Sequence, residues 1–362
     1  MFLIHQIRNF YGRFERPISS FSLIFGFVFD AVTLKRVDTL WENLWILGHL
    51  VIVGIFIALI HLQESEVGSE KNPKKAHFWY VNILQFVFGG ILSAYLVFYF
   101  RSADIFTTWP FIALLALAFI ANESLKRHYT RLSFQISLFF LSIYSFTIFL
   151  VPVLLHQIGD QIFLLSGLLS LIFIGLFVKT LFYFTKDRLV KSKKLILYLV
   201  LGIFTLVNIL YFTNLIPPIP LSLKDAGLYH SIQKNADGNY VVTYEDSGWQ
   251  RYFKLYPDFK KIPGSPVYAF SAIFSPKNLN INIIHEWQHY NETTKKWTTE
   301  KEITLPVVGG RDGGFRTYST RSNLASGKWR VNVKTEQDQT IGHMRFNILQ
   351  VYTAPALTTT IK

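Results

Sequence analysis

The feature that most constrains the fold of this chain is a series of long apolar segments, almost free of charge, in the amino-terminal half. Six segments are long enough to cross roughly 30 Å of hydrocarbon as α-helices. They are Leu44 to Leu62, Phe78 to Phe100, Ile105 to Ala121, Leu132 to Leu155, Ile162 to Phe184 and Leu195 to Ile216. With 51% hydrophobic and 17% aromatic residues, the chain is also too apolar for an ordinary soluble protein. The sequence therefore predicts an integral membrane protein.

A seventh candidate span, Ile18 to Leu34, is shorter and contains Asp30. With seven spans, basic residues collect on one side of the membrane, namely Arg8, Arg13, Arg16, Lys71, Lys74, Lys75, Lys126, Arg127, Arg131, Lys186, Arg188, Lys191, Lys193 and Lys194. The other side carries only Lys35, Arg36 and Arg101. Because cytoplasmic loops are enriched in Lys and Arg, we favour seven spans with residues 1–17 in the cytoplasm and the chain beyond residue 216 outside it. Six spans would weaken the contrast.

The net charge of +13 has the same origin. Basic cytoplasmic loops face anionic lipid headgroups, so membrane lipids are expected partners. Nucleic acid would not meet an external domain, and we expect none as a partner.

The chain changes character after the predicted transmembrane domain, residues 18–216. A proline-rich linker, residues 217–221, ends the last helix. Residues 222–362 then show short segments of alternating apolar and polar residues separated by turn signals. This pattern predicts an extracytoplasmic, all-β sandwich of immunoglobulin-like architecture. Trp329, Val331 and Val333 would face its core.

The glycine-rich segment GGRDGGFRTYS, from Gly309 to Ser319, is the most conspicuous motif of this domain. A phosphate-binding loop would need a helix after it, whereas here a strand follows. Asp312 and Gly313 between two strands are typical of a hairpin turn. The alternative is a nest of backbone amides that, with Arg311 and Arg316, binds a carboxylate, a sulfate or a sugar.

Alternation along the following strand places Arg316 and Tyr318 on one side and Phe315 on the other. If Phe315 faces the core, the guanidinium group and the phenol stand together in solvent. An arginine beside an aromatic ring suits a carboxylate, a sugar or the acidic loop of a partner. The alternative is a cross-strand pair that only solubilises the sheet.

The segment IIHEWQHY places His285, Trp287 and His289 on one face of a strand. His285 and His289 would lie about 13 Å apart, too far to share a metal ion. No metal or other cofactor is predicted. His285 and Trp287 remain candidate binding residues, although a hydrogen-bonded core histidine beside a tryptophan is the simpler interpretation.

Asp30 is a candidate intramembrane polar site, together with Arg36 and Asp38 nearby in sequence. A carboxylate inside a span is unfavourable unless it is paired. The alternative is that Asp30 lies at the hydrated interface, paired with Arg36, and only ends the helix.

Five ordered motifs between Pro266 and Leu349 carry a family resemblance. They are VYAFSAIFSP, IIHEWQHY, GGRDGGFRTYS, GKWRVNVKT and IGHMRFNI. In order and spacing they resemble a bacterial domain of unknown function, family 2914. FGFVFDAVTLKRVD, from Phe25 to Asp38, is similar to the opening segment of multi-span membrane proteins that carry this domain. The resemblance implies the bacterial inner membrane, with the last domain periplasmic or extracellular, and it assigns no catalytic residue.

Three function classes follow. The helices anchor an external domain that binds a ligand or another envelope protein, as a sensor, scaffold or assembly factor, with a carbohydrate or anionic ligand as one option. Alternatively, the helical bundle transports or modifies a lipid-linked substrate near Asp30. A hydrolase is the weakest class because the sequence contains no triad, glycosidase-like or zincin motif, which favours a role without catalysis.

Overall fold

Helices fill the described amino-terminal half of the chain, and strands fill the carboxy-terminal half. The computed structural model describes residues 24–34, 36, 38–65, 73–102, 104–124, 129, 131–245 and 254–362. The predicted cytoplasmic segment 1–17 and the first residues of the candidate span from Ile18 lie outside the described residues. The chain divides into a helical unit of Met1–Arg101 and Thr108–Ile216 and a β unit of Ser102–Thr107 and Pro217–Lys362.

Seven helices lie within the described residues. They are α1 (Ile24–Thr33), α2 (Leu40–Ser65), α3 (Pro73–Ser102), α4 (Ile105–Ser124), α5 (Leu132–Leu155), α6 (Asp160–Phe184) and α7 (Lys186–Phe212). A helix suits these apolar runs because it satisfies every backbone polar group within its own segment, as hydrocarbon requires.

Five described helices are long and apolar enough to span a membrane. The spans are Leu40–Gln63, Trp79–Ser102, Leu132–Leu155, Asp160–Phe184 and Leu189–Phe212. The described apolar helices Ile24–Thr33 and Thr108–Ile120 are shorter. Five of the predicted spans therefore have a matching helix of sufficient length, while those at α1 and α4 stay predictions.

Buried polar side chains join the helices of the bundle. His61 Nε2 of α2 lies 2.8 Å from Gln135 Oε1 of α5. Gln85 Nε2 of α3 donates to the carbonyl oxygen of Asn122 in α4 at 3.1 Å. Such bonds satisfy polar groups that hydrocarbon could not solvate.

The β unit contains eleven strands within the described residues. They are β1 (Ser222–Tyr229), β2 (Ser231–Lys234), β3 (Tyr240–Tyr244), β4 (Asp258–Lys261), β5 (Val267–Phe274), β6 (Ile281–Asn291), β7 (Lys296–Val307), β8 (Phe315–Arg321), β9 (Gly327–Thr335), β10 (Thr340–Gln350) and β11 (Thr358–Ile361). They form a three-stranded sheet in the order β1-β5-β8, a five-stranded sheet β4-β10-β9-β6-β7 and a second three-stranded sheet β11-β3-β2. Only β4 and β10, in the five-stranded sheet, form a parallel pair among the described registers.

The five-stranded sheet packs one face against the β1-β5-β8 sheet. Trp329, Val331 and Val333 of β9 point into this layer and are at most 2% exposed, which confirms the predicted alternation. The ring of Phe346 in β10 meets that of Trp287 edge-on at 6.3 Å. Burial of these large apolar side chains is the main stabilising contribution to the β unit.

The β11-β3-β2 sheet covers the opposite face of the β1-β5-β8 sheet. Tyr229, Ile232 and Val242 form a buried cluster with Phe270 and Ala272 of β5. Tyr240, Tyr244, Tyr268 and Tyr318 pack around this cluster. The β unit therefore has three layers, with the β1-β5-β8 sheet between the five-stranded sheet and the β11-β3-β2 sheet.

Candidate functional site

The glycine-rich segment connects two different sheets. It leaves β7, which pairs with β6, and enters β8, which pairs with β5. The predicted hairpin turn is therefore wrong. A Cβ atom on Gly309 would collide with the carbonyl oxygen of Pro276, and one on Gly314 would lie 2.8 Å from the backbone of Ala272. The glycines allow this close crossing between sheets.

The backbone amides of the crossover bond within the protein. The Gly310 amide donates to the carbonyl oxygen of Ser275 at 2.9 Å, and the Gly314 amide to that of Arg311 at 3.0 Å. Arg311 and Asp312 are exposed, and the Arg311 guanidinium group lies 5.9 Å from the centre of the Phe315 ring. The glycine-rich segment is thus a turn that connects two sheets and is held by backbone hydrogen bonds, rather than the turn of a β-hairpin.

Arg316 and Tyr318 share one side of β8, as predicted, but they are not on a solvent face. Arg316 Nη1 donates to Asn239 Oδ1 at 3.1 Å and to the Lys362 carbonyl oxygen at 2.9 Å. The Tyr318 ring packs against Tyr240 at 6.0 Å. The expectation of exposure is wrong because the β11-β3-β2 sheet covers this face.

His285 and Trp287 lie between the five-stranded sheet and the β1-β5-β8 sheet, and neither is exposed. The His285 ring nitrogens lie 2.9 Å from the hydroxyls of Ser271 and Ser319. Trp287 Nε1 donates to the same Ser319 oxygen at 3.0 Å. Burial lowers the pKa of His285 from 6.5 to about 4, so the ring is neutral at pH 7. Their surroundings are those of a satisfied polar core.

In the helical unit, Asp30 is 7% exposed. It lies beside Ser93 of α3 and within electrostatic reach of His49 of α2. Arg36 Nη2 contacts Asp38 Oδ2 at 2.6 Å, and among the described residues Asp30 has no ion pair. Pairing of Asp30 with Arg36 at a hydrated interface is therefore not observed.

The outer face of the five-stranded sheet carries a polar cluster that the sequence did not single out. Gln288 of β6, Arg330 of β9 and Arg345 of β10 stand at directly paired positions of three adjacent strands. In the next row, Tyr290 of β6 pairs with Trp297 of β7. Paired residues of neighbouring strands project to the same side. Five side chains thus lie on one surface.

Arg330 is held at the centre of this surface. Its Nε donates to Gln288 Oε1 at 2.6 Å, and its guanidinium group lies 4.5 Å from the centre of the Trp297 ring. Tyr290 contacts the Trp297 ring at 5.1 Å, and Tyr256 stacks on it at 6.3 Å. We call these six half-buried or buried residues the outer platform: Tyr256, Gln288, Tyr290, Trp297, Arg330 and Arg345.

A buried ion-pair network supports the platform. Lys334 Nζ lies 2.9 Å from Glu286 Oε2, and Asn332 Nδ2 donates to the same oxygen at 2.8 Å. Although burial raises the pKa of Glu286, hydrogen bonds from Asn332, Lys334 and Thr299 outweigh it and lower the pKa. Glu286 is therefore ionised at pH 7, and it holds the row of paired residues next to Gln288 and Arg330 in place.

His343 makes a separate contact on this face, where its Nδ1 lies 2.9 Å from Asp104 Oδ2.

The outer platform itself is cationic. Burial lowers the pKa of Arg330, Glu286 raises it, and Arg345 lowers it. A guanidinium group remains charged at neutral pH despite such a shift. The attraction of Glu286 precedes the repulsion from Arg345 among the causes that act on the Arg330 pKa. Alternation in IIHEWQHY and GKWRVNVKT indicated outward positions for Gln288, Tyr290 and Arg330, but it did not indicate which residues of other strands would lie beside them.

The chain therefore belongs to a general class of proteins in which apolar helices of membrane-spanning length are joined to a β domain. In this protein the β domain has a cationic, aromatic outer surface. Residues 280–348 match the family described as Protein of unknown function (DUF2914), which confirms the resemblance of the carboxy-terminal domain. This segment spans β6 to β10 and includes every platform residue except Tyr256.

Other comparisons add little. No curated protein matches the chain. A β-glucosidase from Listeria innocua in complex with isofagomine matches with 10% identity and a TM-score of 0.20, over 36% of this chain and 17% of that one. An alkylpurine DNA glycosylase from Pseudomonas fluorescens, bound to DNA containing an abasic site analogue, matches with 7% identity and a TM-score of 0.21, over 86% of this chain and 99% of that one. The chain thus spans about a sixth of the β-glucosidase, and neither likeness carries an argument about fold or function.

Proposed function

We propose that this protein is a membrane-anchored binding protein whose β unit binds an anionic ligand outside the cytoplasm through the outer platform. Sensor, scaffold and assembly roles all fit such a protein. Seven spans, a cytoplasmic amino terminus and an immunoglobulin-like sandwich in the periplasm or outside the cell complete the proposal. The one-sided distribution of Lys and Arg around the apolar segments supports this topology.

The orientation of the Arg330 guanidinium group carries the proposal. Arg330 of β9 is the register partner of Arg345 of β10. Gln288 holds Arg330 through Nε, which leaves the two terminal nitrogens as the outer end of the group. Terminal guanidinium nitrogens bind the two oxygens of a carboxylate or phosphate side by side. The Arg330 guanidinium group, fixed in this way, is the preorganised anion-binding group of the proposed site.

Polyanion binding tests the proposal. The probes are polygalacturonate, poly-glutamate and polyphosphate, with neutral dextran for comparison, and the protein is the purified full chain in uncharged detergent micelles. We expect the polyanions to bind with an affinity that falls as salt rises, and dextran not to bind. Arg330→Gln should weaken polyanion binding about tenfold, since a charged hydrogen bond contributes about 1.5–3 kcal/mol.

Arg311→Gln is the matched control. It removes the same charge from an exposed position in the crossover. Equal losses in the two variants would mean that only the net charge of +13 attracts polyanions, and the proposal would fail. Absence of binding by any polyanion would also overturn it.

The burial of Asp30 favours a second candidate function, transport or modification of a lipid-linked substrate by the helical bundle. A buried intramembrane carboxylate beside other polar groups is a candidate substrate or ion site. We expect Asp30→Asn to change the set of lipids that co-purify with the full chain, as identified by mass spectrometry. Asp237→Asn, at an exposed turn of the β unit, is the control. The same lipids in all three proteins would exclude this candidate.

A further inference from the structure

We infer that Asp30, His49 and Ser93 form a proton-binding site in the helical unit, where one proton is exchanged between the Asp30 carboxylate and Nε2 of His49. The three residues belong to α1, α2 and α3, respectively. This inference is independent of the outer platform. It rests on and deepens the second candidate function, transport or modification of a substrate by the helical bundle, because it names the ion that the buried carboxylate binds.

Asp30 lies on the face of α1 that packs against the helical unit. The exposed large apolar side chains of this helix are Ile24, Phe25, Val28, Phe29 and Val32. The buried or half-buried side chains recur at intervals of three and four residues, as on one side of a helix, and are Phe27, Asp30, Ala31 and Leu34. On this side, the Phe27 ring lies 5.9 Å from that of Phe119 in α4. The Asp30 carboxylate therefore points into the bundle and not toward lipid.

The Asp30 carboxylate meets a buried hydroxyl that lacks a hydrogen bond. Ser93 of α3 lies next to Asp30, and the two residues are 2% and 7% exposed. Ser93 Oγ nevertheless forms no hydrogen bond of normal geometry with any described residue. A buried carboxylate without an ion pair is very unfavourable while it is ionised. Binding of a proton removes this charge and adds a hydrogen that the carboxyl group donates to Ser93 Oγ.

His49 directs its second ring nitrogen toward the same helix. Its Nδ1 lies 2.8 Å from the carbonyl oxygen of Trp45. Because a carbonyl oxygen only accepts hydrogen bonds, Nδ1 carries the hydrogen, and Nε2 of the neutral ring keeps its lone pair. A Cβ atom on Gly90 of α3 would lie 3.7 Å from His49 Nε2. Nε2 thus lies against α3, one helical turn from Ser93 on the same face.

The carboxyl group and the imidazole are complementary for proton exchange. The charge of protonated His49 acts on Asp30, while Arg101, at the end of α3, donates to the carbonyl oxygen of Ala31 in α1. In the exchange, the O–H bond of the Asp30 carboxyl group breaks and the lone pair of His49 Nε2 takes the proton. A carboxylate and an imidazolium of opposite charge result, and no other reactant is needed. The Ser93 hydroxyl, which both donates and accepts, lies beside the carboxylate for this transfer.

Labelling with dicyclohexylcarbodiimide tests the inference on the full chain in uncharged detergent micelles. This apolar reagent adds to protonated carboxyl groups, and mass spectrometry of peptides locates the adduct. We expect an adduct at Asp30 that decreases as the pH rises and that Asp30→Asn removes. Sodium ions at constant pH should not reduce the labelling, because the site binds a proton and not an alkali cation.

His49→Gln tests the exchange itself. Without the imidazole, the proton stays on the carboxyl group, so labelling of Asp30 near neutral pH should increase about tenfold, as expected when a neighbouring opposite charge is removed. His156→Gln is the matched control, because it makes the same substitution at an exposed position after α5. It should leave the labelling of Asp30 unchanged.

The possible results separate the parts of the inference. Absence of an Asp30 adduct at every pH, or labelling that does not depend on pH, would overturn the proton site even if His49→Gln fails to fold. Protection by sodium at constant pH would make it an alkali-cation site instead. If His49→Gln labels like His156→Gln, the exchange with His49 is wrong. None of these results depends on the lipids that co-purify with Asp30→Asn, so the second candidate function can fail separately.

Discussion

Two sheet faces of the β unit point away from the shared core, and they differ in what lies over them. The outer face of the β1-β5-β8 sheet carries Arg316 and Tyr318 and is covered by the β11-β3-β2 sheet. The outer face of the five-stranded sheet carries Arg330 and Trp297, which remain half-exposed. Both faces pair an arginine with aromatic rings. The layer above each face therefore decides whether its arginine and aromatic rings are covered within the protein or remain half-exposed.

The two arginines show the difference at atomic scale. A terminal nitrogen of Arg316 is bonded twice within the protein, to Asn239 and to the last residue, Lys362. The one hydrogen bond of Arg330 to a described residue uses Nε and fixes its orientation. Terminal nitrogens bonded within the protein stabilise the fold, whereas the oriented terminal nitrogens of Arg330 are the ones that we propose to bind an anion. Substitutions on the two faces should accordingly affect different measurements.

The largest effect is expected from a lower pH. His285 lies between the five-stranded sheet and the β1-β5-β8 sheet, and both outer faces exist only while these two sheets stay packed. The pKa of His285 is about 4 in the fold against 6.5 ordinarily. Protonation thus favours the unfolded chain, and the stability contributed by neutral His285 is present above pH 6.5 and lost as the pH falls toward 4. The shift corresponds to about 3 kcal/mol.

Hydrogen exchange of β5, β6 and β8 peptides in the full chain measures this loss. We expect protection to fall between pH 6.5 and 4 after correction for intrinsic exchange, and His285→Gln to remove most of that dependence. Glu286, with its lowered pKa, contributes stability above its ordinary pKa of 4.5 that is lost at lower pH. Unchanged pH dependence in His285→Gln would contradict the role of the buried ring.

The next largest effect should come from Tyr318→Ala on the covered face. Its ring contacts Tyr240 at 6.0 Å and Tyr268 at 5.8 Å. Removing a partly buried aromatic ring should destabilise the β unit by about 2 kcal/mol, measured as lost exchange protection in β3 and β8. Polyanion affinity should stay the same. A loss of affinity without a loss of protection would return the binding site to this face.

Arg316→Ala should have a smaller effect on stability. It removes two hydrogen bonds between β8 and the covering sheet and should cost about 1–2 kcal/mol. Greater exchange at β11, next to Lys362, is the expected local sign. Arg311→Ala, at an exposed position of the crossover, should leave the exchange of β11 unchanged. Similar behaviour of both variants would mean that the covering sheet is not anchored by Arg316.

Much of this architecture could be predicted because it depends on local pattern. Apolar runs gave five helices of sufficient length, and two-residue alternation gave the inward orientation of Trp329 and Val331. The covered face could not be predicted, since β2 and β3 lie between β1 and β5 in sequence and β11 follows β10. The sequence around Arg316 and Tyr318 does not indicate that strands distant in sequence cover these two side chains.

The candidate site was missed for a related reason. Alternation gave Arg330 an outward position but could not reveal that Arg345 would be its partner, which depends on the register of β9 with β10. The glycine crossover drew attention instead because Asp-Gly is a strong local turn signal. The actual need for glycine there is close approach to Pro276 and Ala272, a tertiary contact. Local signals identify turns and faces, whereas sites arise from register.

The smallest stability effect is expected on the open face, and it sharpens the comparison most. Arg330→Ala removes one hydrogen bond to Gln288, the stacking on Trp297 and the attraction of Glu286. It also relieves the desolvation of a half-buried guanidinium group and the repulsion from Arg345. Because these terms offset each other, we expect a change in stability within about 0.5 kcal/mol, as for ordinary surface substitutions. Exchange protection of β9 should thus match the wild type while polyanion affinity falls about tenfold. If Arg330→Ala instead loosens β9 as much as Arg316→Ala loosens β11, both faces are structural and the distinction between them disappears.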